Sequence, residues 1–185
     1  MPHPRTQELL THLEHHRGAV RAALEMTPSA LRDRSPAPER WSVAEVLEHL
    51  AIVERQVAGL LKRGLRLAQQ DAPLPAERCT DPVLPTVDGE ALLDRERKLV
   101  AGQTARPSRF LSADQAWLEL EASRAMLCDV VLAADGLATD GVVAEHPFLG
   151  PLTFLQWVAF VGFHESRHAA QIRETAAALG GAHEY

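Results

Sequence analysis

Apolar residues recur every three or four positions along the chain. Four long stretches hold that rhythm, as helices with one buried face do. The first spans residues 6–26, with Leu9, Leu13, Val20 and Leu24 on one side. Thr27-Pro28 ends it, and Ser35-Pro36-Ala37-Pro38 cannot be helical, because proline lacks an N–H and restricts the residue before it. The second opens on Ser42-Val43-Ala44-Glu45, a capping box in which hydroxyl and carboxylate each take up an orphan N–H, with Trp41 and Val46 placed as a hydrophobic staple. Its stripe reads Val46, Leu50, Val53, Val57, Leu60 and Leu61, and it extends to Leu67 across Gly59 and Gly64. Residues 71–86 are a proline-rich connector. Residues 88–100 read as a short charged helix carrying Leu92, Leu93 and Leu99, and 102–109 as a loop. The third long helix opens on Ser112 with Gln115, shows Trp117, Leu120, Leu127, Val131 and Ala134, and stops at Asp135-Gly136. Residues 139–151 read as loop. The fourth starts near Thr153, with Gln156 closing a third capping box and Leu152 and Trp157 as its staple, and runs to Leu179, where Gly180-Gly181 supplies a C-cap. Four comparable amphipathic helices predict an all-α protein, a four-helix bundle forming a single domain over residues 1–185.

Composition agrees. The 185 residues include 26 Leu and 29 Ala against 14 Val and 2 Ile, which favours helix over strand. A net charge of -6 argues against nucleic acid and against a polybasic membrane-surface role. Residues 1–5 hold no apolar signal core, and the most apolar run, 151–163, is too short for a membrane span. Cys79 and Cys128 show no CxxC spacing, so a reducing compartment is the simpler reading. The expectation is a cytoplasmic protein with no membrane or nucleic-acid partner.

The histidines carry the candidate chemistry. His3, His12, His15, His16 and His183 lie among polar residues and are predicted to be solvated, and His146, before Pro147, to be a turn or pocket-rim residue. His164 and His168 differ: four residues turn a helix by about 400°, so both imidazoles share one face, behind the apolar Trp157 and Val161. Two buried imidazoles need a partner, either a metal ion or hydrogen bonds. His49 sits between Val46 and Val53 at the edge of the second helix's stripe. Three such ligands from two helices would leave coordination positions open, as catalytic zinc sites do. The string His164-Glu165-Ser166-Arg167-His168 also matches H-E-x-x-H, in which the glutamate is a zinc protease's general base. Gln171 and Glu174, however, stand where that motif's longer form has Gly and His, and Glu165 lies about 100° from His164, better placed for a salt bridge.

Two segments resemble the DinB-like superfamily: Trp41-Ser42, Glu45 and His49-Leu50 at the start of the second helix, and Gly150-Pro151-Leu152-Thr153, Trp157, His164, His168 and Gln171-Ile172 in the last. That superfamily is related to bacillithiol S-transferases and mycothiol-dependent maleylpyruvate isomerases. The resemblance implies an up-down-down-up bundle of the DinB/YfiT type with a divalent metal on His49, His164 and His168. Zinc or nickel come first; iron, manganese and cobalt also suit three nitrogens. It further implies a low-molecular-weight thiol (bacillithiol, mycothiol or glutathione) and a small electrophile as partners. The metal would lower the thiol's pKa to yield the nucleophilic thiolate. A metal-dependent hydrolase and a non-catalytic metal-binding stress-response bundle are the alternatives, and an exposed apolar helix face would allow a homodimer. Arg124 interrupts the stripe between Leu120 and Leu127; it is a candidate for binding an anionic group of the substrate, the other reading being a salt-bridged or snorkelling arginine.

Overall fold

The computed structural model describes residues 1–96 and 102–180. Four long helices dominate: α1 (Pro4–Met26), α2 (Val43–Ala68), α4 (Ala113–Ala133) and α5 (Phe154–Gly180), with a one-turn α3 (Gly89–Leu93) between the second and third of them. The capping chemistry sets where they begin. Ser42 Oγ accepts from the Glu45 N–H at 3.1 Å while Glu45 accepts from the Ser42 N–H at 2.7 Å. Ser112 and Gln115 do the same at 3.3 and 3.0 Å, and Thr153 and Gln156 at 3.4 and 3.0 Å. Helix α1 starts two residues earlier than its apolar period suggests, because Pro4 occupies the first turn, where a missing N–H costs nothing, and His3 Nδ1 caps it.

Side-chain pairings give the directions. His12 meets Ala159 and Arg17 meets Glu165, so α1 and α5 run parallel. His3, Leu13 and Arg17 meet Asp135, Arg124 and Leu120 in turn, so α4 opposes α1. His49 faces His164 while Leu61 lines a cavity with Trp157, so α2 opposes α5. The order is up-down-down-up. Two parallel neighbours, α2 and α4, cannot be joined by a tight turn, and residues 69–112 form the long crossover. There Gly89 lies so close to Phe163 of α5 that a Cβ would stand 2.7 Å from the ring.

Three expectations need correcting. Residues 139–151 are not simply loop: β1 (Val143–His146) and β2 (Gly150–Thr153) pair as an antiparallel hairpin, closed by Gly150 at φ 74°. Pro147 masks the hairpin in sequence, and four-residue strands are too short to show a period. The charged helix expected over 88–100 is α3 alone, ending at Leu93; residues 97–101, including Leu99 and Val100, lie outside the described residues, as do Gly181 and His183. His12 is buried, and His3 and His16 are half-buried, not solvated. His12 Nε2 donates to the Ala159 carbonyl at 2.9 Å, an approach that Gly162 permits: a Cβ there would stand 2.2 Å from that nitrogen.

The apolar core has two parts. One gathers Leu9, Leu13, Val57, Leu61, Leu127, Val131 and Val158; the other Val20, Val46, Leu50, Leu120, Ala169 and Ile172. Between them lies a closed ring of four charges, one from the middle of each long helix. Arg17 donates to Glu165 at 2.7 Å and Glu54 at 2.8 Å, and Arg124 to Glu54 at 2.5 Å and Glu165 at 2.7 Å. Each carboxylate gives one oxygen to each guanidinium. Remaining donors go to the Leu120 and Leu13 carbonyls, and Ser123 Oγ donates to Glu54. Arg17, Glu54 and Glu165 are buried and Arg124 is mostly so; the four charges sum to zero, and hydrogen bonds satisfy them as a low-dielectric interior demands.

Candidate metal centre

The ring fixes which way α5 faces. With Glu165 turned toward Arg17 and Arg124, His164 and His168 are left facing α2, where His49 projects between Val46 and Val53. The structure brings the three imidazoles together at a single point. His164 Nε2 lies 3.3 Å from His49 Nε2 and 3.1 Å from His168 Nε2. Two nitrogens about 2.0–2.1 Å from one ion, at angles from 90° to tetrahedral, stand about 2.8–3.4 Å apart. His49 and His168 are buried and His164 is half-buried.

Hydrogen bonding at the other ring nitrogens says what the cluster lacks. His49 Nδ1 faces the Ala105 carbonyl at 2.7 Å, and His168 Nδ1 the Gln171 amide oxygen at 2.8 Å. Both acceptors require a proton on Nδ1, so in the neutral rings both Nε2 atoms present bare lone pairs. His164 Nε2 carries one proton at most and cannot serve both. At least one lone pair is left without a donor, and a divalent cation fits that donor set. Acceptors behind ligating imidazoles are the usual arrangement at such centres. Trp41 packs against His49 and Phe160 stacks on His164, with centroids 4.9 and 5.3 Å apart, holding the rings in place.

Burial holds the His49 imidazole below its ordinary pKa, the Ala105 contact partly opposing, and puts His164 and His168 well below it, their imidazole neighbours adding to the effect. All three are therefore neutral, as ligands must be. His12, His146 and His16 are also lowered, chiefly by burial, His16 to about 4. A base whose pKa is lower folded than unfolded takes its proton more readily when unfolded, so acid favours unfolding. The metal-free protein is expected to keep its full stability above about pH 6.5 and to lose it progressively toward pH 5, before ordinary carboxylates titrate. Urea midpoints measured across that interval check this; a constant midpoint contradicts it.

Arg124 is placed in the charge ring, its hydrogen bonds going to Glu54, Glu165 and the Leu13 carbonyl; the structure shows the salt-bridged arginine. Glu165 is similarly occupied, which removes the general base that the H-E-x-x-H reading requires. Gln171 and the Ala105 carbonyl were not singled out for support of the histidines. Gln171 stands three residues after His168, a helical neighbour spacing that marks it; nothing local marks Ala105, 56 residues from His49.

Comparison with known proteins adds three findings. The profile described as the DinB superfamily matches residues 12–172. The uncharacterized protein YuaE of Bacillus subtilis (strain 168) is 31% identical over 143 residues, covering 77% of this chain and 81% of YuaE. The crystal structure of TT2238, a four-helix bundle protein, superposes with a TM-score of 0.60 at 24% identity, covering 91% of this chain and 98% of that one, and shows the shared fold.

Proposed function

Because the chain belongs to the DinB superfamily, with three imidazoles converging at one point, we propose that it is a metal-dependent enzyme that transfers a low-molecular-weight thiol to a small electrophile. Superfamily membership and the histidine cluster are together compatible with a metal-dependent enzyme. The thiol, the electrophile and a cytoplasmic setting are this proposal's own content. The observation that carries it is the meeting of His49, His164 and His168 at their Nε2 atoms, with a proton deficit among them.

What a divalent ion supplies when bound there is Lewis acidity, lowering the pKa of a thiol so that its thiolate is present at neutral pH. The protein's own part is to hold three neutral nitrogens in place. Ala105 and Gln171 fix the tautomers of His49 and His168, and Phe160 fixes the plane of His164. In the reaction the thiol proton passes to solvent, a carbon–sulfur bond forms, and the electrophile's leaving group departs with its bonding pair. A peptidase reading finds no base, since Glu165 is bonded to two arginines.

The test uses purified protein loaded with zinc or nickel and offered glutathione, bacillithiol or mycothiol with monochlorobimane. Metal-dependent turnover with at least one thiol, lost in His168→Ala, is the expected result. Failure with every thiol, or undiminished turnover in His168→Ala, overturns the proposal.

A further inference from the structure

The end of the long crossover is tied like a strap along α2, beside His49. Gln103–Ala105 form a 3₁₀ turn. Residues 104–109 then run antiparallel to the helix, fastened by four of its side chains. Gln56 Nε2 donates to the Thr104 carbonyl at 2.8 Å, and His49 Nδ1 to the Ala105 carbonyl at 2.7 Å. The Ser108 N–H donates to Glu48 Oε1 at 2.9 Å, and Arg109 pairs with Glu45 at 2.8 Å. Positions 45, 48, 49 and 56 share one helix face, as their spacings of three, four and seven require.

Little else holds the strap. Within residues 103–110 only Ala105 and Pro107 are even half-buried, and Phe110 is 88% exposed. Arg109 adopts φ 71°, unfavourable for a residue with a Cβ. A segment with so few apolar contacts opens locally while the bundle stays folded. Opening has a chemical consequence at His49. With the Ala105 carbonyl in place, Nδ1 keeps the ring's proton and Nε2 presents its lone pair to the other two histidines. With the strap away, the proton is free to sit on Nε2, and that tautomer cannot ligate there. An ion on Nε2, in turn, makes the Nδ1–H a stronger donor to Ala105.

Resting on the metal-centre reading above, we propose that docking of residues 103–110 on α2 and binding of a divalent ion at the three histidines are one coupled equilibrium, with Glu48 and Gln56 the positioning residues that clasp the strap. Neither belongs to the ligating cluster. Coupling of this kind is reciprocal: the ion holds the strap down, and a loosened strap releases the ion.

The test uses the full chain, with zinc affinity measured by competition against a chelating dye and amide hydrogen exchange followed with and without zinc. In wild type, zinc should slow exchange across residues 103–110 at least about tenfold. Residues 76–79, tied to Gly136 at the opposite end of the bundle, should not respond. Glu48→Ala should weaken zinc about tenfold, the lower end of the cost of losing support behind a ligand. Glu48→Gln keeps an oxygen for the Ser108 N–H and should restore wild-type affinity, which it could not do if Glu48 acted on the ion through its charge. Gln56→Ala, an exposed change, should weaken zinc in the same direction and carries the test if Glu48→Ala does not fold. Wild-type affinity in the alanine variants, equal loss in Glu48→Gln and Glu48→Ala, or exchange at 103–110 indifferent to zinc overturns the coupling and leaves the metal centre standing. A wild type that binds no zinc overturns the metal centre itself, and this inference with it.

Discussion

Replacing Glu54 by Gln is expected to destabilise the protein by about 3–5 kcal/mol, the usual cost of breaking a buried ion pair from one side. Glu54 is 2% exposed and holds both Arg17 and Arg124. Its neutral replacement leaves two guanidiniums sharing Glu165 and one positive charge uncompensated in the interior. In a chain of this size each kcal/mol moves the melting temperature by about 2–4 °C, so a fall of about 6–20 °C should follow in calorimetry. Adding Arg17→Met restores neutrality, and the double variant should be less unstable than the sum of the singles, by about 0.5–3 kcal/mol. Converting all four positions to apolar residues of similar volume is expected to be neutral or stabilising, since the ring's hydrogen bonds only offset its desolvation. What that quadruple variant should lose is register: with no charge at the bundle's centre, nothing but packing holds α5 turned so that His164 and His168 face His49. Strict additivity in the double variant, or a Glu54→Gln chain as stable as wild type, contradicts the ring.

The parts of this fold that were legible in the sequence are those whose causes are local. A capping box involves four consecutive residues, and all three boxes are formed where Ser42, Ser112 and Thr153 place them. The sharing of a face by His164 and His168 follows from helical pitch alone. The convergence of His49 on them rests on tertiary packing, and its traces in sequence are a histidine at the edge of an apolar stripe and the family resemblance that pairs it with the other two. The ring has its own trace: Arg124 and Glu165 each read as salt-bridge residues, and Arg17 and Glu54 are their partners in the same pattern. Arg17 lies four residues after Leu13 and three before Val20; Glu54 four after Leu50 and three before Val57; Arg124 four after Leu120 and three before Leu127; Glu165 four after Val161 and four before Ala169. Each is a charge in a core position, and the signs sum to zero. One such residue is uninformative, but four in four helices are a buried network written out. The burial of His12 was hidden because the space for it is made by Gly162, 150 residues away on another helix. Ala105 contributes only a carbonyl, which every residue has, so no side-chain pattern marks it.

Zinc is expected to raise the melting temperature of the metal-free protein by about 8–16 °C at a free concentration a thousand times its Kd, and by nothing comparable in His49→Ala. An ion that binds the folded chain alone stabilises it by RT ln(1 + [L]/Kd), about 4.1 kcal/mol at that excess, and the size-dependent conversion gives the stated interval. The gain has a structural reason beyond mass action. Without a cation the three Nε2 lone pairs face one another with one shared proton at most, an arrangement that opposes packing α2 against α5 at this level. His49→Ala removes one of the facing nitrogens and so relieves part of that opposition. The metal-free variant should therefore melt no lower than expected for a cavity of its size, while losing its response to zinc. The pairing of these outcomes separates a metal centre from a hydrogen-bonded histidine cluster. In a hydrogen-bonded cluster His49→Ala costs more than its cavity and zinc has no effect on either chain; at a metal centre the metal-free difference is the cavity's alone, and zinc raises wild type without raising the variant.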